Sequence, residues 1–209
     1  MYESLTEATK FHAINQENWV GEALAEYKHE IYNLISENNI KTILDYGCGK
    51  AKFHPLLFNN IKVPGSPMGV TVTPYDPAVT KFSNKPTGQY DLVLCIDVME
   101  HIQEDKIEEV LKDLFSYSNK VFLTITCYPA MQILPNGKNA HYTIKEPDWW
   151  KEKLQPYEGN FIVIFQTKPD RGGKKINKEE WKPTNITLKK LEKNDKTLDD
   201  SQKEKAKLL

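Results

Sequence analysis

Arginine is nearly missing from this chain. Arg171 is the only one, so lysine supplies almost all of the 28 basic residues, and the formal net charge is −1. Lysine grips phosphate less well than the bidentate arginine fork, and a chain without net positive charge has no electrostatic pull on a polyanion. Charge and composition therefore argue against nucleic acid as a partner. Cysteine is scarce too: Cys48, Cys95 and Cys127 are odd in number and far apart. That pattern argues against a disulfide framework and a zinc site, and fits reduced thiols in a cytoplasmic protein. No apolar run approaches the ~20 residues of a membrane span. The opening Met-Tyr-Glu-Ser-Leu-Thr-Glu lacks the basic-then-apolar order of a secretory signal. No internal repeat is visible.

What is present suits one globular domain with a tail. The 209 residues can bury a single sizeable core. We assign residues 1–190 to that domain, with 1–40 as an N-terminal helical cap, and 191–209 to a charged tail. Leu24, Tyr27, Ile31, Leu34 and Ile35 fall on one face of a helix from Glu22 to Glu37. Thr42–Tyr46 is the first strand, and a short helix of about Ala51–Phe58 follows. Residues 59–68, with two prolines and a glycine, are loop. Val70–Thr73 starts the second strand, which ends near Asp76. Tyr90–Ile96 is apolar throughout its second half, as a strand covered on both faces must be. Gln103–Phe115 is strongly amphipathic, with Ile107, Val110, Leu111, Leu114 and Phe115 at helical spacing. Val121–Cys127 is a strand, Pro147–Leu154 a helix with proline at its start, Phe161–Phe165 a strand, and Asn185–Leu188 a last one. Trp149-Trp150 sits at helical spacing and belongs to the core or to a substrate platform.

Strands alternating with helices predict a three-layer α/β fold, doubly wound and mostly parallel, with a late antiparallel strand. Residues 77–89 are too short for a full crossover, so the third-strand region is reduced.

The stretch Lys41-Thr-Ile-Leu-Asp-Tyr-Gly-Cys-Gly-Lys-Ala51 carries the most information. An apolar strand stops at an acid, and two glycines follow at a spacing of two. Glycine allows positive φ and close approach of backbone N–H groups to a ligand, at the strand end where ligands bind in such a sheet. Asp45, Asp76 and Asp97 all fall at strand ends. Asp76 suits the two hydroxyls of a ribose, and Asp45 suits an ammonium group. Asp97 and Glu100 could instead cap the next helix.

Asp45-Tyr-Gly-Cys-Gly-Lys-Ala, Tyr75-Asp-Pro77 and Tyr90-Asp-Leu-Val-Leu-Cys-Ile-Asp-Val-Met-Glu-His101 resemble the successive motifs of class I S-adenosylmethionine-dependent methyltransferases. Cys127-Tyr-Pro-Ala, the stretch Leu134 to His141 and Pro147-Asp-Trp-Trp150 resemble a bacterial and phage subgroup without an assigned substrate. The resemblance implies a Rossmann-like sheet and S-adenosylmethionine as cofactor. It places Gly47, Cys48 and Gly49 beside the methionine part, Asp45 near its amino group, Asp76 on the ribose and Pro77 on the adenine. Cys95, Ile96 and Asp97 would line the pocket. Ala51 stands where the family usually has a third glycine, and Phe82 or Ser83 would replace the missing third strand against adenine. The acceptor would be an oxygen or nitrogen of a small molecule or glycan. His101 and His141 are the candidate proton acceptors, and no metal is expected. A non-catalytic S-adenosylmethionine-binding protein is the alternative. An NAD-dependent oxidoreductase is disfavoured, because Gly47-Cys-Gly49 lacks the later glycine of the dinucleotide fingerprint.

Overall fold

The run Leu92–Ile96 is buried at every position, which only a central strand with helices on both faces allows. The computed structural model describes residues 3–14, 19–59, 61, 69–157, 160–167 and 177–181. It contains a six-stranded sheet in the order β2-β1-β3-β4-β5-β6. The strands are β1 (Thr42–Tyr46), β2 (Thr71–Tyr75), β3 (Leu92–Ile96), β4 (Lys120–Thr126), β5 (Asn160–Thr167) and β6 (Asn177–Trp181). All pairings from β2 to β5 are parallel, and β6 runs antiparallel along β5. The expected mostly parallel, doubly wound sheet is therefore present, with its late antiparallel strand. That strand is Asn177–Trp181. The predicted Asn185–Leu188 lies outside the described residues, as does the tail 191–209.

Alternate residues feed two cores. One face of the sheet packs Leu44, Val93, Leu123, Val163 and Phe165 against α5 (Ile107–Ser116) and α6 (Pro147–Leu154). The other packs Ile43, Leu94, Phe122, Ile162 and Ile164 against α2 (Ala23–Glu26), α3 (Lys28–Asn38) and α4 (His54–Phe58). The three layers follow from this period of two. Trp150 is wholly buried in the first core, which settles the Trp149-Trp150 pair in favour of core for its second member.

Several boundaries depart from expectation. The helix predicted from Glu22 to Glu37 is broken at Tyr27, whose φ of −105° and ψ of 18° leave the helical region. Tyr27 reaches across to β5, where its hydroxyl accepts a hydrogen bond from Gln166 Nε2 at 3.1 Å. The helix after the glycine turn is only α4, His54–Phe58. The predicted Gln103–Phe115 helix opens with a 3-10 turn, Glu104–Lys106, before α5. Between β2 and β3 a single 3-10 turn, Thr80–Phe82, is the regular structure, so the third-strand region is reduced as expected.

The N-terminal segment contains α1 (Glu3–Ile14), inside the stretch assigned to the helical cap. Its Phe11 packs with Leu134 and Ala140. The Ser4 N–H donates to Gln103 Oε1 at 2.9 Å, and Glu3 pairs with Lys138 at 2.8 Å. These contacts lay α1 across the turn after β3 and the 128–146 segment after β4. No described helix is long and apolar enough to cross a membrane.

Candidate functional site

The sheet order turns back on itself at β1 and β3: β2 lies on one side of β1, and β3 and β4 extend on the other. Crevices for ligands open at the carboxyl ends of strands at such a switch point. Every sequence-predicted residue from Asp45 to Gly49, from Asp76 to Pro77 and from Cys95 to Asp97 belongs to the carboxyl end of β1, β2 or β3.

The turn after β1 is built on positive φ. Gly47 has φ +81°, and a Cβ there would fall 2.3 Å from Val98 Cγ2. Gly49 has φ +54°, and its Cβ would fall 2.3 Å from the Trp19 carbonyl oxygen. The Trp19–Gly21 segment crosses this turn: the Lys50 N–H donates to Trp19 O and the Lys52 N–H to Val20 O, both at 3.0 Å. Ala51 also takes positive φ, +50°. Alanine in the place of the family's third glycine therefore brings backbone strain, because an L-residue pays about 1–2 kcal/mol in the left-handed region.

These contacts predict unequal costs for two alanine substitutions. Gly88 also has positive φ, +87°, but a Cβ there meets nothing within 4 Å. Gly88→Ala should cost the left-handed strain alone, about 1–2 kcal/mol, or a Tm loss of about 2–8 °C. Gly49→Ala adds a collision with backbone and should melt lower still. Equal losses in a thermal melt would show that Trp19 does not press on the turn.

Asp76 anchors the turn from β2. Its Oδ2 accepts the Gly49 N–H and its Oδ1 the Ala78 N–H, each at 2.9 Å. It is 8% exposed, and burial pushes its carboxyl up to about 6 against the pull of those two N–H groups. The Asp76 N–H donates to Phe82 O at 3.0 Å, which clips the Thr80–Phe82 turn beneath it. Ser83 is exposed, and its hydroxyl donates to Thr80 O. A cleft of about 470 Å³ opens beside Pro77, lined also by Tyr46, Tyr75, Lys85, Val110 and Asp113.

Asp45 is engaged by a residue the sequence reading passed over. Its Oδ2 lies 2.5 Å from His54 Nε2, the first residue of α4. A histidine nine residues after a strand-end acid, on the helix the glycine turn feeds, was the available signal. Cys48 is buried, with its thiol pushed up by burial. Cys95 is wholly buried in the core beneath α5, and Ile96 packs in the opposite core. Their side chains face core, so what they present at the strand end is backbone. Asp97 takes φ +53°. Its Oδ1 accepts from Thr124 Oγ1 at 2.6 Å and from Gln166 Nε2 at 2.8 Å, so a network from Tyr27 through Gln166 to Thr124 fixes the end of β3.

The two histidines, forty residues apart, are brought together. Thr143 N donates to Glu100 O and Thr143 Oγ1 to Ile102 O, folding the segment after β4 back onto the turn after β3. Asn139 braces it, accepting the N–H groups of Ala130 and His141 on its Oδ1. The rings of His101 and His141 then meet edge-on with centroids 4.8 Å apart, and Trp19 contacts His101 at 5.0 Å. His101 Nδ1 lies 2.9 Å from Ala140 O, and His141 Nδ1 lies 2.6 Å from Tyr128 O. A carbonyl only accepts, so each Nδ1 carries the proton and each neutral ring has its lone pair on Nε2. Burial, and then the neighbouring His141, push His101 down to about 3. Burial lowers His141 more gently.

Glu100, read as a possible helix cap, turns inward. It is 0% exposed, and its Oε1 accepts the Thr126 N–H at 3.1 Å.

A family model described as a methyltransferase domain matches residues 18–159. No curated protein and no solved structure matches the chain. The matched span runs from the segment that crosses the glycine turn to the foot of β5 and takes in the three strand ends and both histidines. With the switch-point crevice and the mostly parallel sheet, it establishes that the chain belongs to the methyltransferase-domain family, with the class I fold.

Proposed function

We propose that the chain is an S-adenosylmethionine-dependent methyltransferase acting on an oxygen or nitrogen of a small molecule or glycan. The observation that carries this is the glycine turn tied by Gly49 N–H to a buried acid at the end of the neighbouring strand. The residues fit the cofactor. Gly47 and Gly49 have no room for a Cβ against Val98 and Trp19, so the turn offers backbone and no side chain of its own at these two positions. Asp76 retains lone pairs on both oxygens beyond the N–H bonds it accepts, enough for two ribose hydroxyls. Asp45 Oδ1 is left over from the pair with His54 and suits the ammonium group. The cleft beside Pro77 has room for the adenine end. When bound, S-adenosylmethionine supplies an already activated methyl group.

The rest of the chemistry is positioning and proton handling. A base works best when its pKa lies near the working pH. His101, pushed down to about 3, is a feeble acceptor, so His141 is the better of the two candidates. Its Nε2 lone pair is available on the side away from Tyr128. The net charge of −1 and the single arginine favour a small or glycan acceptor over nucleic acid. The three unpaired, buried cysteines support a cytoplasmic location.

Isothermal titration with S-adenosylmethionine tests the cofactor, and release of S-adenosylhomocysteine on pooled cell metabolites tests the activity. Heat of binding without product on any pool would leave a binder and remove the enzyme. The affinity also carries a pH signature. Asp76 protonates near pH 6, and a protonated carboxyl accepts fewer hydroxyl bonds. Affinity should therefore climb as pH rises through about 6 and level off above it, and Asp76→Asn should flatten the curve. Stability runs the other way. The folded state holds this proton more tightly than the unfolded chain, whose pKa is near 3.8. The linked stability is therefore full below about 3.8 and is lost as pH rises through about 6.

A further inference from the structure

Three donors converge beside the crevice, and the sequence reading expected no metal among them. Glu100, His101 and His141 each bring one ligand atom to within 4.8 Å of the others. Glu100 Oε2 is buried and has no hydrogen-bond partner, an exception that an ion would explain. Both histidines donate their Nδ1–H to a backbone carbonyl, the support that metal-bound imidazoles almost always have, which leaves Nε2 to serve as the ligand. Among the described residues neither Nε2 has a hydrogen-bond partner. Two short segments held together by Thr143 and Asn139 bring the three donors to one place.

We propose that Glu100, His101 and His141 hold a divalent first-row transition-metal ion that receives a hydroxyl of the acceptor. Two imidazoles with one carboxylate suit zinc, manganese, iron or cobalt better than magnesium or calcium, which prefer all-oxygen sets. Ligand atoms of a tetrahedral site with bonds of about 2.1 Å stand about 3.4 Å apart, so the side chains must draw in by roughly an ångström. Three protein ligands leave a coordination position open, as catalytic sites require. A hydroxyl taken there loses its proton more easily: the O–H bond breaks, the electron pair stays on the oxygen, and the proton passes to water. The acceptor is then an alcohol or phenol: its oxygen forms the new bond to the methyl carbon as the S–CH3 bond of S-adenosylmethionine breaks with its electron pair on sulfur, and the products are a methyl ether and S-adenosylhomocysteine. With the ion bound, the Nε2 lone pair of His141 is committed to it, so His141 acts as ligand in place of base.

Cation binding is independent of the methyl-transfer reading, whereas the ion's role rests on it. The full chain is stripped with chelator and titrated with Co²⁺, Mn²⁺ and Zn²⁺ without S-adenosylmethionine. Saturation near one ion per chain is expected for at least one of them. Anomalous diffraction from a Co²⁺ crystal should place the ion against the Glu100 carboxylate and both imidazoles. Glu100→Gln and His141→Gln should each weaken binding more than tenfold while S-adenosylmethionine still binds. Should the wholly buried Glu100 variant fail to fold, the half-buried His141 variant carries the comparison. No stoichiometric uptake by the wild type, an ion located elsewhere, unaltered affinity in the folded variants, or methyl transfer indifferent to the chelator would each overturn the proposal. Loss of S-adenosylmethionine binding with cation binding intact would overturn only the cofactor reading.

Discussion

His141→Ala lowers kcat by on the order of 10²–10⁴ while the affinity for S-adenosylmethionine stays within about twofold of wild type: that is the expected result, from the range for a lost proton-transfer group. The split between the two readouts follows from placement. His141 stands on the segment after β4, braced by Asn139 and by its own bond to Tyr128 O, whereas the glycine turn and Asp76 belong to β1 and β2. Removing the imidazole leaves every contact of that turn in place. The pH profile adds a second check. Burial lowers His141 below its ordinary 6.5, so the ring is neutral at pH 7 and the wild-type rate should fall only as pH drops beneath that value. His101 cannot stand in, since a group titrating near 3 takes protons poorly at neutral pH. The prediction holds whether His141 removes the proton itself or acts as a metal ligand, because both uses spend the same Nε2 lone pair. Full activity in the variant would remove the residue from the mechanism in either form.

The sheet was legible because burial on both faces leaves no choice of residue. Leu92-Val-Leu-Cys-Ile96 can serve only as a central strand, and α5 shows its apolar stripe over three turns. The residues of β6 went unread for the opposite reason. Asn-Lys-Glu-Glu-Trp is a polar edge that gains its strand character from pairing with β5, and tertiary pairing of that kind leaves little trace in composition. The bounds of α1 were unreadable because its buried positions include Ser4, Glu7 and His12, residues that tertiary contacts, more than hydrophobicity, draw inward. The break at Tyr27 was invisible because an apolar stripe continues through it, and Gln166 lies 139 residues further along.

The glycine turn and the histidine pair differ in the same way. A backbone that must take positive φ with no room for a Cβ restricts the residue type at that position, so Gly47 and Gly49 announce themselves. The meeting of His101 with His141 depends on Thr143 and Asn139 folding one loop onto another, which spacing along the chain does not encode. Glu100 was visible as an acid but its burial was not, and burial separates a solvent-facing cap from a ligand. Asp45 was read correctly as a strand-end acid, yet its bond to His54 needed α4 to start where it does.

Asp76→Ala should weaken S-adenosylmethionine binding by about 1–3 kcal/mol, roughly 5- to 150-fold, the cost of buried donors left without an acceptor. Asp76 does two things at once, and the loss has two sources. Its side chain would accept the ribose hydroxyls, and it already holds the Gly49 and Ala78 N–H groups in place. Without it, the shelf on which the methionine part would lie loses a fixed point. Asp76→Asn separates the two sources. An amide keeps one oxygen acceptor and nearly the same volume, so it can hold one of the two N–H groups but cannot accept from both while also meeting two hydroxyls. The order of affinities should be wild type, then Asn, then Ala, measured by titration at pH 7.5, where the native carboxyl is ionised. At pH 5, below the value of about 6, the native residue is itself mostly neutral, and the gap between wild type and Asp76→Asn should close. A gap that persists unchanged at pH 5 would mean that the charge on Asp76 contributes nothing to holding the nucleoside, and an alanine variant with native affinity would place the ribose elsewhere in the crevice.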